Sequence, residues 1–487
     1  MSKRSRVCGS STSRNRGESA PAQEAHEMGI TRRLYPDPLL QCAAVKFAGG
    51  PAVLCALAAA ALALALQISS GMYDERSVAL AVLGAGLSLV AALWLRRGAA
   101  PEPAFAAQAI LGAACAFGVA CQFLGNPTFY ADQRALQGGF RWFALAALVL
   151  LSAYLCVHLR ASLVKMRFVL LLACFAVMGI AIIRASPRPW VDVWILQQGA
   201  SEALRHGIDP YSASYPNIYG NLTGKMYAAE LLQNGRLAAY PYPPLTILTD
   251  LPGYVLLGDI RYSLLALMLL SAWALARAGA SVAAELAALF VLYQPRTFFV
   301  LEQAWTEPLV LACFALAVLA IARGRILWAG AAIGLVAASK QGSPYLVVPL
   351  AFALPAERRW KSIGVAAAVA LAVLVPFAAW DFRGFIRGVI RMQLLQPFRD
   401  DSLSLPALFA HLHPGNYGSL VYLSLGLGAI VLVLCLRPRT TLLQAVAAAA
   451  AAWFAVLLFY KQPFCNYYWL CVGLLCATVA VRFREAA

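Results

Sequence analysis

The sequence predicts an all-α polytopic membrane protein with about 14 transmembrane crossings and one further segment that is re-entrant or interfacial. Of its 487 residues, 61% are hydrophobic and only 13% are charged, a composition far from that of soluble domains. Many apolar runs are about 20 residues long, which is the length an α-helix needs to cross a bilayer. The net charge of +17 comes from short basic clusters between these runs, so it indicates membrane orientation rather than nucleic-acid binding.

The N-terminal part is predicted to be a polar tail followed by four additional transmembrane helices. Residues 1–48 are basic and rich in Ser, Arg and Gly, and they are expected to form a disordered cytoplasmic tail. Residues 49–167 then hold the four extra helices. Apolar runs up to the fifth crossing lie at 51–69, 77–95, 104–123, 141–159 and 168–186. Basic clusters such as Arg96-Arg97 mark the cytoplasmic ends, so the chain after the fifth crossing is placed outside.

The longest polar interruption follows that crossing, at residues 187–244. It is dense in tyrosine and tryptophan, and its acidic and basic residues balance. Connections of this length are usually functional or disordered, and the aromatic content argues against disorder. We therefore expect a folded outer loop that carries chemistry.

Four apolar segments lie between this loop and the basic cluster after Ala322, near 245–258, 262–279, 282–300 and 307–322. Passing from the outside to the cytoplasm needs an odd number of crossings, so one segment must be re-entrant or interfacial. The segment 245–258 is selected, because it is the shortest and contains Asp250 and Pro252.

The C-terminal part is predicted to continue with short helices and a second outer loop. Residues 326–356 go out and return, and their polar break from Ser339 to Pro344 is the outer apex. A crossing at 362–380 leads to the outer loop 381–416. Three more crossings, near 417–437, 441–459 and 466–481, precede a cytoplasmic tail at 482–487. Both termini are thus expected in the cytoplasm of a multi-pass protein of the inner membrane.

Candidate site residues lie at the predicted outer ends. Asp192 is either a general base at the membrane rim or an exposed interfacial acid. Asp209, in a turn after Gly207, is either a cap or a site residue. Tyr242 belongs to a stiff Tyr-Pro-Tyr-Pro-Pro stretch, which either clamps the chain into the membrane or stacks on a sugar.

Charged residues close to the hydrocarbon region form a second group of candidates. Glu302, Gln303 and Glu307 stand at an outer helix end, where the acids either contact substrate or pair with Arg296 or Lys340. Lys340 is at the hairpin apex and is too far from the cytoplasmic face to reach it. It is therefore expected to bind a lipid phosphate or to form an ion pair.

Basic and aromatic residues of the later outer segments complete the set. Arg383 and Arg387 recur at helical spacing and either hold a phosphate or lie on lipid headgroups. Lys461, Asn466 and Tyr467 cap the final crossings and either line the site or pack at the aromatic belt. No Cys/His cluster has metal-ligand spacing, so neither a metal nor another cofactor is indicated.

The order of several short motifs along the chain is informative about the protein family. After Asp192 come Gly-x-Asp-Pro-Tyr, ending at Tyr211, then Tyr-x-Tyr-Pro-Pro-Leu, Leu-Glu-Gln-x-Trp-x-Glu-Pro and finally Lys340-Gln341. This order over residues 168–481 resembles integral-membrane glycosyltransferases of the GT-C fold, and among them the branch of polyprenyl-phosphate-mannose-dependent mannosyltransferases.

The resemblance implies a GT-C-like core over 168–481 that uses a polyprenyl-phosphate sugar donor and a lipid or glycan acceptor. It implies that Asp192 is the general base and that basic outer residues hold the donor phosphate. Two features depart from the family pattern. Four crossings precede the core, and Glu302 stands where the family often has Gly.

A non-enzymatic lipid or solute transporter, such as a flippase, is the alternative function. Transporters usually show internal repeats and broken helices near the midplane. The two functions differ in where Asp192, Glu302 and Lys340 lie, because an enzyme of this kind needs one outward cavity and a transporter needs a path across the membrane.

Overall fold

The computed structural model describes residues 50–98, 101–152, 154 and 161–484, without the side chains of 161–165. The predicted N-terminal tail, residues 1–48, lies outside the described residues, as do 485–487 of the predicted C-terminal tail.

The described chain is mostly helical. The helices are α1 (Pro51–Ser69), α2 (Glu75–Arg97), α3 (Ala104–Leu124), α4 (Gln133–Leu136), α5 (Gly139–Ser152), α6 (Ala161–Ala185), α7 (Asp192–Arg205), α8 (Thr223–Met226), α9 (Pro244–Leu257), α10 (Arg261–Gly279), α11 (Val282–Tyr293), α12 (Thr297–Glu302), α13 (Glu307–Ala322), α14 (Ile326–Ser339), α15 (Pro344–Ala353), α16 (Ala356–Trp380), α17 (Phe382–Ile386), α18 (Met392–Leu395), α19 (Leu405–Leu412), α20 (Leu420–Cys435), α21 (Leu442–Phe459) and α22 (Cys465–Arg482). Two short strands, β1 (Leu232–Gln233) and β2 (Arg236–Leu237), pair antiparallel within the first long loop.

Eight of the described helices are long and apolar enough to cross a membrane. They are α1, α2, α3, α6, α10, α16, α21 and α22. This confirms the all-α polytopic class. Seven further apolar helices have only 10–17 residues, and at about 1.5 Å per residue the shortest of them do not span a bilayer core unaided. The count of about 14 crossings therefore stays a prediction.

The connections between helices gather at two ends of the bundle. At one end, Tyr73 N donates to Asp401 O at 2.9 Å and Tyr130 Oη donates to Trp190 O at 2.8 Å. These contacts join segments that were all predicted to lie outside. At the other end, Arg482 Nε donates to Glu102 Oε1 at 2.8 Å, which joins two segments predicted to be cytoplasmic. The alternation of loops is thus visible in the fold, while the side of the membrane that each end faces stays a prediction.

Helix α9 starts and finishes at the same end of the bundle, which we call the cap end because the 187–244 loop lies there. Just before the helix, Pro241 O accepts a hydrogen bond from Gln341 at the hairpin apex. Just after it, Gly258 O accepts one from Gln198 of α7, at 2.7 Å. These contacts fit the expectation that the segment 245–258 is interfacial.

The predicted single crossing at 282–300 is wrong in one respect. Helix α11 ends at Tyr293, and α12 begins only at Thr297. Gln294 takes an extended conformation, with ψ at 153°, because the following Pro295 disfavours helical geometry in the residue before it. The break redirects the chain toward the cap end, where α12 packs beneath the 187–244 loop.

The 187–244 loop folds around its own aromatic core. Tyr211, Tyr215 and Tyr240 are almost completely buried, with the Tyr211 and Tyr240 rings 5.6 Å apart and edge to face. The segment from α17 to α18 closes over this core. Its Gly384 and Gly388 lie so near the loop that an added Cβ would come within 2.5 Å of Tyr211 O and 2.1 Å of Tyr240 O. The loop is therefore a packed cap rather than a flexible connection.

The last helix, α22, forms the centre of the bundle. In its spanning window, 89% of the residues are buried, more than in any other of the eight long helices. Helices α1, α11 and α21 pack around it, so the first N-terminal helix belongs to the same core as the C-terminal ones. This arrangement fixes α21 and α22 firmly, and with them the loop between them.

Candidate active site

A cavity of about 380 Å³ lies at the cap end, between the folded loop and the ends of the apolar helices. Six of the residues selected from the sequence line it: Asp192, Tyr242, Gln303, Lys340, Asn466 and Tyr467. The 187–244 cap contributes about a third of the lining residues, among them Tyr219 and Tyr242, so the cavity depends on the packing of the loop. This placement is suited to chemistry at one membrane face.

Asp192 enters the cavity from the first position of α7. Its Oδ2 accepts a hydrogen bond from Tyr227 Oη at 2.7 Å, and its Oδ1 accepts one from Val193 N at 2.8 Å. The N-terminal end of a helix favours a negative charge. The carboxylate is half-buried, is held in place by these two bonds and lines the cavity beside Tyr219.

Lys340 forms an ion pair with Glu307, whose side chain is fully buried. Its ammonium group also lies 4.3 Å from the ring centroid of Tyr467. Only 11% of the Lys340 side chain is exposed. Of the two roles expected for Lys340, the structure therefore contains the ion pair, made with Glu307 rather than with Glu302.

A second, apolar groove of about 240 Å³ shares Lys340, Gln393 and Tyr467 with the cavity. Its walls come from α15, α20 and α21. They include Tyr345, Val421, Tyr422, Leu425, Trp453, Val456 and Leu457. Tyr422 is 72% exposed on the outer surface of the bundle. The groove thus runs from the polar cavity to a surface that contacts lipid in a membrane, and we call it the lipid-facing groove.

Lys461 lies at the polar end of this groove. It is 6% exposed, and its Nζ donates to Leu394 O at 3.2 Å and to Gln396 O at 2.6 Å. Within the described residues it has no carboxylate partner. Burial lowers the pKa of Lys461 to about 8. A buried ammonium group without an acid is suited to an anionic ligand.

Gln341 lines the same groove from the hairpin apex. Its Nε2 donates to Pro241 O at 2.8 Å and to Val389 O at 3.0 Å. It therefore ties the apex to the cap loop and to the α17–α18 segment. This residue positions the site more than it offers free hydrogen-bonding groups to a ligand.

Six residues selected from the sequence do not line the cavity or the lipid-facing groove. One of them is Glu307, which is buried behind Lys340 in the ion pair described above. Asp209 accepts from Tyr211 N at 2.9 Å in a local turn, so its cap interpretation holds in the structure. Tyr211 is buried behind Tyr242 and donates to its carbonyl oxygen at 2.7 Å. Glu302 points away from the cavity and accepts from the amides of Phe129 and Tyr130, at 2.7 and 3.0 Å.

The two arginines, Arg383 and Arg387, are the other exceptions. The close approach of Gly384 and Gly388 to the cap loop turns the glycine side of this segment inwards. Arg383 is exposed and Arg387 half-buried, and neither lines the cavity. A π-helical turn at Arg387–Arg391 also breaks the regular helical spacing that had suggested a single basic face.

The structure adds site residues that the sequence had not selected. Arg399 lines the cavity and is held by two bonds to Asp401, at 2.7 and 2.8 Å. Gln393, Gln396 and Gln462 also line it. The available signal was a pair of glutamines three residues apart in an otherwise apolar stretch, with Gln393 in α18 and Gln396 directly after its end.

The match to known families agrees with this picture. A sequence model of glycosyltransferase family 87 matches residues 237–481, which is just over half of the 487-residue chain. The match covers the lipid-facing groove and begins after Asp192. No curated protein matches the chain. The protein, an all-α membrane protein with a polar cavity at one end of its helices, therefore belongs to glycosyltransferase family 87.

Proposed function

We propose that this glycosyltransferase moves a mannose-like sugar from a polyprenyl-phosphate donor to a hydroxyl group of a lipid or glycan acceptor at the outer membrane face. The observation that carries the proposal is the junction of two spaces. The cavity with Asp192 shares three lining residues with an apolar groove that reaches the lipid-facing surface. A donor with a long hydrocarbon chain and a polar sugar phosphate needs both kinds of space.

The donor chain fits along the apolar walls of the lipid-facing groove, which it enters from the membrane beside Tyr422 and Leu425. Its phosphate then lies at the polar end, near Lys461. The Lys461 ammonium is buried and lacks an acidic partner among the described residues, so an anion there gains a charge-assisted hydrogen bond. The sugar extends past Tyr467 into the cavity.

The reaction is a single displacement at the anomeric carbon. Asp192 takes the proton from the acceptor hydroxyl, and the acceptor oxygen forms the new bond to the anomeric carbon. The bond from that carbon to the phosphate oxygen breaks, and its electron pair leaves with the polyprenyl phosphate. The leaving phosphate gains negative charge, which Lys461 stabilises. Attack opposite the leaving group inverts the anomeric configuration.

The GT-C fold and the mannosyltransferase branch enter this proposal through the order of motifs from Asp192 to Gln341. Family membership supports the transfer of a sugar, and the groove supports a lipid-linked donor. The transporter alternative receives no comparable support. Asp192 and Lys340 line one cavity at the cap end, while Glu302 is occupied by the amides of the 126–133 segment.

The donor class is tested with the purified full chain in lipid nanodiscs and a panel of radiolabelled donors. The panel contains polyprenyl-phosphate mannose, polyprenyl-phosphate glucose and the corresponding nucleotide sugars. We expect transfer to a membrane-extract acceptor from polyprenyl-phosphate mannose, and none from the nucleotide sugars. Transfer from a nucleotide sugar alone would contradict the lipid-linked donor and leave the family assignment intact.

The low pKa of Lys461 predicts a specific pH dependence. The side chain binds phosphate only when protonated, and burial lowers its pKa from the ordinary 10.5 to about 8. The kcat/KM for the donor is therefore expected to be steady up to about pH 8 and then to fall about tenfold per pH unit. Lys461→Arg stays charged in this range, so its profile should remain flat to pH 9.

Steady-state kinetics between roughly pH 6.5 and 9.5 check this prediction, because that range brackets the pKa of Lys461. Melting temperatures at each pH show whether both proteins are folded. An alkaline fall that is the same in Lys461→Arg as in the unmodified protein would rule out Lys461 as its cause.

A further inference from the structure

A third opening lies among the helices α10, α13 and α14, and the function above does not use it. Its volume is about 720 Å³. Apolar and small residues of α13 and α14 form its floor, with Trp273 and Trp328 at its sides. The apolar lining residues are Leu316, Leu319, Ala320, Ala331, Ala332 and Leu335. We call it the arginine groove, because Arg277, Arg323 and Arg325 line its mouth.

The three arginines come from different places in the sequence but converge at one point. Arg277 is one turn beyond Trp273 on α10, and Arg323 and Arg325 stand in the tight connection between α13 and α14. Arg323 Nη2 donates to Arg277 O at 2.9 Å, which holds the two segments together. No described carboxylate forms an ion pair with any of the three guanidinium groups. Three positive charges thus surround the mouth of an apolar groove.

The arginine groove and the active-site cavity are at opposite ends of the bundle. Helix α14 begins beside Arg325 and ends at Ser339, next to Lys340 of the cavity. Its 14 residues span about 21 Å. A ligand of the arginine groove is therefore separate from the sugar donor described above.

We propose that the arginine groove binds an anionic glycerophospholipid of the opposite leaflet. The phosphodiester lies among Arg277, Arg323 and Arg325, and an acyl chain lies along Leu316, Leu319 and Leu335. Guanidinium groups bind phosphate oxygens in pairs, and basic pockets between membrane helices suit anionic headgroups. Trp273 is 43% exposed and Trp328 70%, and tryptophan is favoured at the headgroup level. Charge and apolarity together select a lipid over a soluble anion.

The test uses delipidated full-length protein in detergent. It is titrated with phosphatidylglycerol, phosphatidylcholine or inorganic phosphate, and followed by native mass spectrometry and by its melting temperature. Phosphatidylglycerol should remain bound and raise the melting temperature, since a ligand of the folded state stabilises it. Phosphatidylcholine and inorganic phosphate should do neither at the same concentration.

Two triple variants distinguish binding at the arginine groove from nonspecific attraction of the lipid to a positively charged surface. Arg277→Gln/Arg323→Gln/Arg325→Gln should weaken phosphatidylglycerol binding about tenfold or more. The matched control, Arg358→Gln/Arg437→Gln/Arg439→Gln, removes three exposed charges from the same end of the bundle and should bind normally. Equal losses in the two triple variants, or equal binding of the two phospholipids, would overturn the proposal. So would the same thermal shift with inorganic phosphate alone.

A further variant distinguishes loss of the binding site from misfolding, because Arg323 also holds α10 and the α13–α14 connection together. Ala331→Trp fills the groove and keeps all three arginines. It should keep its melting temperature in the absence of added lipid and lose the rise given by phosphatidylglycerol. Full retention of that rise in Ala331→Trp would show that the lipid binds elsewhere. None of these measurements depends on sugar transfer.

Discussion

Asp192→Asn is expected to lower turnover by about 100-fold or more, while donor binding and melting temperature stay close to those of the unmodified protein. The substitution keeps the size of the side chain. Its amide oxygen can still accept from Val193 N, and its amide nitrogen can donate to the Tyr227 hydroxyl oxygen. It removes the basic carboxylate that takes the acceptor proton. Single-turnover transfer from saturating donor, with donor binding measured separately, gives the comparison.

Glu202→Gln is the matched control. Glu202 is another acid of α7, but it is exposed on a side of the helix that does not line the cavity. Its neutralisation should leave turnover within about twofold, as is usual for a surface change far from the chemistry. Near-normal turnover in Asp192→Asn would remove Asp192 from the role of base.

Lys340→Gln is expected to destabilise the protein by about 3–5 kcal/mol, because it leaves the buried Glu307 carboxylate without its partner. Lys340→Gln/Glu307→Gln should recover most of that stability, since the stranded charge is removed as well. The melting temperatures of Lys340→Gln, Glu307→Gln and the double variant, all measured in detergent, give a double-mutant cycle for this ion pair.

Lys225→Gln provides the control for this effect. Lys225 pairs with Asp400 at 3.0 Å, but both side chains are about half exposed, so its loss should change the melting temperature little. The donor KM of the double variant tests the other role expected for Lys340. A stable double variant with an unchanged donor KM would exclude Lys340 from holding the donor phosphate, as expected when Lys461 holds it. A stable double variant with a strongly raised donor KM would place that phosphate on Lys340 too.

Much of the outline followed from the sequence because the membrane restricts it. Uninterrupted apolar runs and the basic clusters between them predicted the all-α polytopic class, the order of the connections and the break at Lys340. In hydrocarbon a chain must satisfy its own backbone hydrogen bonds, so a long apolar run has few alternatives to a helix. Asp192, Gln303, Lys340, Asn466 and Tyr467 could be selected for a related reason, since polar side chains at helix ends next to lipid are costly unless they are used.

The sequence could not decide which of these polar residues face one another. Glu302 and Gln303 are adjacent in the chain, yet only Gln303 lines the cavity, because Glu302 accepts two backbone amides of the segment that follows α3. Arg383 and Arg387 were expected at the site, but Gly384 and Gly388 place that segment's glycine side against the cap.

By itself, then, the sequence determined the membrane class and the end of the bundle at which polar chemistry is concentrated. The tertiary structure alone decided that Lys340 pairs with Glu307 and that Lys461 is the buried cation without an acidic partner among the described residues. It also decided that Asp192 shares a cavity with residues as far apart in the sequence as Ser70 and Tyr467. The physical reason is that hydropathy reports the depth of a residue, whereas ion pairs depend on how helices are rotated and packed. Those rotations are set by contacts between residues far apart in the sequence, and a local hydropathy pattern does not contain that information.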